Sequence, residues 1–311
     1  MIFCRISCNR LNSEAANFAL LPKPVPTSIK VFASEIMYPV ALIGCRTSEI
    51  SLDCCEYDIA IINLSEKGEV SQPNQVVRVA NRPVKLIHII GPMKNHFLDL
   101  ANMIILKDND NFLLSSVAKD ITMEKYKKML AAQGKKLLIS SLFHQHKMST
   151  SKHPLVAAMW LKIAAYEFMD GLIAVSGNRP MPMHILDQMR QTTERVMTEA
   201  ADVVLECIGT ERATRPTIFR SLQAIQELKS RDFDRDLFVS KTNHLLDLQM
   251  LVDCYYYSGK VAAANLLGRG DLFCNQYTKL VQIALDLASD LQSLEKMQRH
   301  LFRETNSVLR S

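Results

Sequence analysis

The sequence predicts an α+β protein, with a small mixed β-sheet towards the N-terminus and an all-helical second half, and two observations carry that prediction. Between Val40 and Gly91 the apolar residues fall in short, β-branched runs, VALIG, IAII, VVRVA and VKLIHII, separated by Gly, Pro, Asn and Ser. After Gly91 this strand punctuation fades, and apolar residues recur with helical spacing almost to the C-terminus.

Taken in order, residues 1–26 form an N-terminal segment of uncertain order, ending in LPKPVP, whose prolines read as a stiff linker. TSIKVFASEIM then predicts a short helix leading into the first strand, with Thr27 or Ser28 as its cap. Helical spacing begins with Asn95 to Ile105 and resumes over Thr122 to Ala132, with Thr122 as N-cap and Gly134 as stop. HPLVAAMWLKIAAYEFMDGLIAVSG reads as a central core helix, with Pro154 in its first turn and Gly177 as terminator. The next segment carries Leu186, Met189, Val196 and Val203 on one apolar stripe. Later helices are expected over Thr214 to Ser230, Asp234 to Ser258, Lys260 to Leu267 and Asp271 to Leu309. The expected division is therefore an α+β domain over 27–150 and a helical bundle over 151–311.

Composition narrows the functional classes. The 311 residues are 48% hydrophobic, enough for a substantial core. A net charge of +5 permits contact with phosphates without demanding nucleic acid. The 8 cysteines lack the spacing of a disulfide framework and follow no secretory leader, which points to a reducing cytoplasm. Leu155 to Val175 is the most membrane-like stretch, but Lys162, Glu167 and Asp170 interrupt it, so no membrane partner is expected.

The chemistry concentrates in GCRTSEISLDCCEYDIAII, residues 44–62. Gly44 ends a strand and frees the backbone to turn, so that amides near Cys45 to Thr47 can face a phosphate. Arg46 lies inside that turn, where a guanidinium either grips a phosphate or pairs with Glu49 or Asp53. Glu56 and Asp58 are two apart, so on extended backbone both carboxylates project from one face, the requirement for holding Mg²⁺ against a triphosphate. Asp53 replaces Glu56 in that pair if the strand starts earlier. Acids at a strand start also serve simply to keep an edge soluble.

This pattern resembles the nucleotidyltransferase superfamily related to DNA polymerase β, in which a hydrophobic strand ends in Gly-Ser and an acidic-x-acidic pair opens the next strand. The resemblance covers Val40 to about Gly91. It implies Glu56 and Asp58 as catalytic metal ligands for Mg²⁺, with Gly44 and Cys45 contacting a nucleoside triphosphate and Arg46 neutralising charge. The implied reaction is transfer of a nucleotidyl group to an acceptor such as a nucleic acid or protein. Three departures accompany it: Cys45 stands where the family has serine, Glu56 stands for the commoner aspartate, and RPVKLIHII supplies no third carboxylate, only His88 in that kind of place. The alternative reading is a non-catalytic nucleotide-binding or protein-interaction module on a degenerate fold, and a helical scaffold with an unrelated small sheet is a third.

Other candidates are weaker. FHQHKMSTSKH gathers His144, His146 and His153, and reads as a solvated loop rather than a zinc site. Cys4 and Cys8 have no second pair. The lysines of KDITMEKYKKMLAAQGKK read as a solvated helix face. Lys162 is a phosphate partner only if its helix closes over a nucleotide, and the three tyrosines of DCYYYSGK are expected to point three ways.

Overall fold

A computed structural model of the protein describes residues 23–63, 75–191, 195–228, 233–267, 269, 273, 274 and 276–310. Cys4, Cys8 and most of the N-terminal segment lie outside these residues. The described chain is α+β, with one five-stranded mixed sheet followed by helices.

The four apolar runs become β1 (Val40–Ile43), β2 (Tyr57–Asn63), β3 (Gln75–Val79) and β4 (Arg82–Ile90). A fifth strand, β5 (Ile104–Lys107), completes the order β3-β4-β2-β1-β5. β1 is buried along its whole length and pairs antiparallel with β2 and β5, while β2 runs parallel to β4. β3 and β4 form a hairpin through Ala80 and Asn81, both with positive φ, which suits the twist of a two-residue connection. The strand at 104–107 corrects the helix expected over 95–105. That segment makes only a 3₁₀ turn at Met93–His96 and a single turn, α2 (Phe97–Leu100). Phe97 and Leu100 are buried there, and the chain then extends so that Ile104 and Leu106 reach the sheet core.

Each face of the sheet has its own apolar layer. Val40, Leu42, Tyr57, Ile59, Ile61 and Val84 pack against Ile29 and Ala33 of α1 (Thr27–Glu35). Neither Thr27 nor Ser28 caps that helix; Pro26 is its N-cap residue. The opposite face, Ala41, Ile43, Ala60, Ile62 and Ile89, packs against α2 and α3 (Leu113–Asp120).

The second half is helical, as its spacing predicts. α4 (Met123–Thr150) is capped by Thr122, whose hydroxyl accepts from the Lys125 amide, but it runs straight through Gly134. That glycine serves close approach rather than termination: a Cβ there would lie 2.7 Å from Val175 Cγ1 and 2.9 Å from the Gly171 carbonyl of α5 (Pro154–Val175). The histidine-rich stretch is helical as far as Thr150, which corrects the solvated loop there, while His146 and His153 are exposed. His144 is buried, 2.6 Å from a Glu167 carboxylate oxygen and stacked on Trp160.

Beyond α5 come α6 (Ile185–Arg190), α7 (Arg195–Ile208), α8 (Arg215–Glu227), α9 (Arg235–Asp247), α10 (Leu251–Leu267), α11 (Thr278–Ala284) and α12 (Leu291–Arg310). Two long expected helices are broken, at Gln249 and at Asp286, each a non-glycine residue with positive φ. The Met250 amide donates to the Leu245 carbonyl and the Leu287 amide to that of Gln282, the six-to-one bond of a Schellman stop. Gly177, with φ 87°, ends α5 by the same bond from Asn178 to Ile173. No helix among the described residues is long and apolar enough to cross a membrane.

Candidate functional site

The C-terminal end of β1 and the N-terminal end of β2 open into a cavity of about 660 Å³. Gly44, Cys45, Cys55, Glu56, Asp58, Lys85 and Ile87 form its sheet side. The loop from Arg179 to His184 closes another side, and Phe238, Lys241 and Tyr257 from α9 and α10 form the far wall.

Register explains the sheet side. Ile43 of β1 pairs with Asp58 of β2, so the chain leaving β1 passes directly against the Asp58 side chain. Gly44 turns there with φ 76°, and a Cβ on it would lie 2.3 Å from Asp58 Oδ2. Only glycine satisfies both the backbone and the space. The turn continues as a 3₁₀ segment, Gly44–Thr47, with the Thr47 hydroxyl donating to the Gly44 carbonyl and that of Ser48 to the Cys45 carbonyl.

Glu56 and Asp58 line the same cavity, and their environments differ. The Lys241 ammonium sits 2.8 Å and 2.6 Å from the two carboxylate oxygens of Glu56, so that charge is paired in a buried setting. Burial, and then the charge of Glu56, push the Asp58 carboxyl up to about 7, although Lys241, Lys85 and Arg179 pull the other way. The pair therefore disfavours full ionisation, and extra positive charge nearby would favour it.

β2 and β4 pair so that Asp58 lies opposite Lys85. His88 instead pairs with Ile61, whose side chain belongs to the layer against α1, so the position expected to matter on β4 is the wrong one. On the cavity face, β4 presents Lys85 and Ile87.

Arg46 turns away from the cavity. Its guanidinium donates to the Cys55 carbonyl at 3.0 Å and 2.5 Å and to the Asp53 carbonyl at 2.9 Å, and lies 4.6 Å from the centre of the Tyr57 ring. It braces the 53–55 loop instead of facing a ligand. The Asp53 carboxylate pairs with Lys23 on the surface, 3.0 Å away, which removes it as a substitute for Glu56. The Cys45 thiol lines the cavity and lies close to that of Cys55 and to the His184 ring. Hydrogen bonding to Cys55 and burial push the Cys45 thiol up, while thiol bonds from Cys45 and Cys54, and then His184, hold Cys55 down.

Arg179, His184 and Lys241 had no signal in local spacing, because they arrive from more than a hundred residues away. Gln188 fixes the start of the loop that carries Arg179: its side-chain amide donates to the Arg179 carbonyl at 2.7 Å and accepts from the Met181 amide at 3.0 Å. Arg179 itself is 2.6 Å from Asp99.

Two groups flagged in the helical half belong elsewhere. Lys162 donates to the Leu285 carbonyl at 2.6 Å and to the Tyr255 hydroxyl at 3.2 Å, fastening α5 to the end of α11. Burial pulls its ammonium down to about 7. Tyr255, Tyr256 and Tyr257 are all buried, and of the three only Tyr257 lines the cavity.

The chain matches no protein-family model, and no curated protein is significantly similar to it.

Proposed function

We propose that the protein binds a nucleoside triphosphate in the cavity beside Gly44 and holds it without transferring its nucleotidyl group, as a degenerate nucleotidyltransferase-type module. The observation that carries this reading is the pairing of Asp58 with Lys85, which puts a lysine beside Asp58 on β4, the following strand from which the family resembled takes a third carboxylate. Lys241 on Glu56 supports it further, because a cation already neutralises one of the two acids. These residues do not fit a two-metal set. They do fit a phosphate chain: Lys85, Lys241 and Arg179 border one cavity, and Phe238 and Tyr257 offer aromatic surface for a base. A volume of about 660 Å³ lies within the ordinary range for small-ligand sites.

The test is a titration of ATP, CTP, GTP and UTP with and without Mg²⁺, followed in parallel by an assay for released pyrophosphate. Saturable binding without pyrophosphate release is the expected outcome. Failure of all four nucleotides to bind removes the proposal.

Mg²⁺-dependent nucleotidyl transfer is the second reading, and the lining of one cavity by both Glu56 and Asp58 is the observation that favours it. A half-buried acid beside the charge of Glu56 gains from a divalent cation, and the two would be its ligands if the cation displaced Lys241 from Glu56. Pyrophosphate release that disappears in Asp58→Asn would establish this reading over the first.

A further inference from the structure

The sulfurs of Cys45 and Cys55 and a ring nitrogen of His184 all lie within 4.8 Å of one another. Cys55 Sγ is 3.3 Å from His184 Nε2. Tetrahedral zinc with Zn–S of about 2.3 Å and Zn–N of about 2.0 Å requires ligand separations of roughly 3.5–3.8 Å, so small side-chain adjustments complete the geometry. We propose that Cys45, Cys55 and His184 form a binding site for one Zn²⁺ ion, with its fourth position open to the cavity.

The three residues come from separate places, and each is held by its backbone. Cys45 sits in the turn after β1, where its carbonyl accepts from the Ser48 amide at 3.0 Å and the Ser48 hydroxyl at 2.8 Å. Cys55 precedes β2, with its carbonyl gripped by Arg46 and its amide donating to the Leu52 carbonyl at 3.1 Å. His184 leads into α6, where its amide donates to the Met181 carbonyl at 2.7 Å. The bracing role of Arg46 thus gains a purpose that the phosphate reading did not supply. It fixes the loop carrying one of the two thiols.

The chemistry of the donors selects the ion. Two thiolates and a neutral imidazole suit a borderline-soft cation such as Zn²⁺ and not Mg²⁺, which takes oxygen ligands. His184 is 1% exposed, and its Nδ1 has no hydrogen-bond partner among the described residues. A buried imidazole with one nitrogen against a thiol and the other unpaired is not held by a polar network, and a metal bond at the thiol side supplies an anchor. Binding replaces the S–H protons with metal bonds, so up to two thiol protons leave to solvent and no oxidant or reductant is needed. All three ligands line the cavity, so a water or a ligand atom there has access to the fourth position. Cys54, whose thiol lies 3.9 Å from Met183 Sδ, is not among the residues lining it.

The inference stands apart from nucleotide binding, since neither Lys85 nor Asp58 belongs to the ligand set. The full chain, reduced and freed of metal with a chelator, is titrated with Co²⁺ and then with Zn²⁺. The expected result is one equivalent of Co²⁺ with a sulfur-to-cobalt charge-transfer band, displaced by one equivalent of Zn²⁺. Cys55→Ser and His184→Gln should each weaken Zn²⁺ binding by at least about tenfold. Cys207→Ser, whose thiol packs against the Met297 carbonyl, should leave it unchanged. Because substitutions at buried ligands can impair folding, alkylation mapped by mass spectrometry on the unsubstituted protein provides a second measurement. Zn²⁺ should protect Cys45 and Cys55. Absence of the charge-transfer band, or equal alkylation of both cysteines with and without Zn²⁺, overturns the proposal.

Discussion

Gly44→Ala probes the contact that organises the cavity. The backbone at this position has φ 76°, and an added Cβ would meet Asp58 Oδ2 at 2.3 Å, Cγ at 3.2 Å and Cβ at 3.4 Å. Left-handed backbone costs an L-residue about 1–2 kcal/mol. The carboxylate must also rotate from its preferred position, adding about 0.5–1.5 kcal/mol. The expected loss of stability is therefore about 1.5–3.5 kcal/mol, read from urea denaturation by linear extrapolation. The two contributions separate in a double-mutant cycle. In an Asp58→Ala background the carboxylate is gone while the backbone strain remains, so Gly44→Ala should cost only about 1–2 kcal/mol there. A penalty below about 0.5 kcal/mol, or one independent of the Asp58 side chain, would refute the packing of Gly44 on Asp58.

Three further outcomes are expected. Lys85→Asp puts a carboxylate opposite Asp58 in the β2–β4 register, so added Mg²⁺ should raise the melting temperature of the variant more than that of the parent; equal responses would place residue 85 away from Asp58. Lys162 falls from an ordinary 10.5 to about 7 in the folded protein, so between those values the unfolded chain binds more protons and stability rises with pH. Relative to a Lys162→Met variant, the parent should gain up to about 4–5 kcal/mol across that window, lost again as pH falls towards 7, and parallel pH profiles would show that Lys162 stays charged. Gly134→Ala presses a methyl group into Val175 and the Gly171 carbonyl and should cost about 1–3 kcal/mol by thermal or urea unfolding, whereas a neutral effect would argue against the close α4–α5 crossing.

The parts of the fold that were readable in the sequence are those that local chemistry dictates. β1 to β4 are β-branched runs bounded by Gly, Pro and Asn, and Pro154 and Gly177 mark a helix whose ends match the structure. β5 escaped because HFLDLANMII carries helical spacing, and its extended conformation is imposed by pairing with β1. The stops at Gln249 and Asp286 escaped because glycine is the usual signal for a left-handed residue. Gly134 misled for the converse reason, since a glycine needed for helix contact looks the same as one that ends a helix.

In the cavity, the two-residue spacing of Glu56 and Asp58 and the turn at Gly44 were legible because strand period and glycine freedom are local properties. The inward turn of Arg46 was not, since a cation in a turn has the same sequence pattern whichever way it points. Lys241, Arg179 and His184 are brought in only by the packing of the helices on the sheet. The expectation that His88 held the decisive place on β4 failed by register: residues 85 and 88 differ by three, and an odd difference puts them on opposite faces.

The proposed binding of a phosphate chain by Lys85 is tested by titrating nucleoside triphosphates into the parent and Lys85→Ala. A charge-assisted hydrogen bond to phosphate contributes about 1.5–3 kcal/mol, so Lys85→Ala should weaken binding by roughly tenfold or more while neither protein releases pyrophosphate. Affinity unchanged by the loss of Lys85, or pyrophosphate released by the parent, would contradict a non-catalytic phosphate-binding role for this cavity.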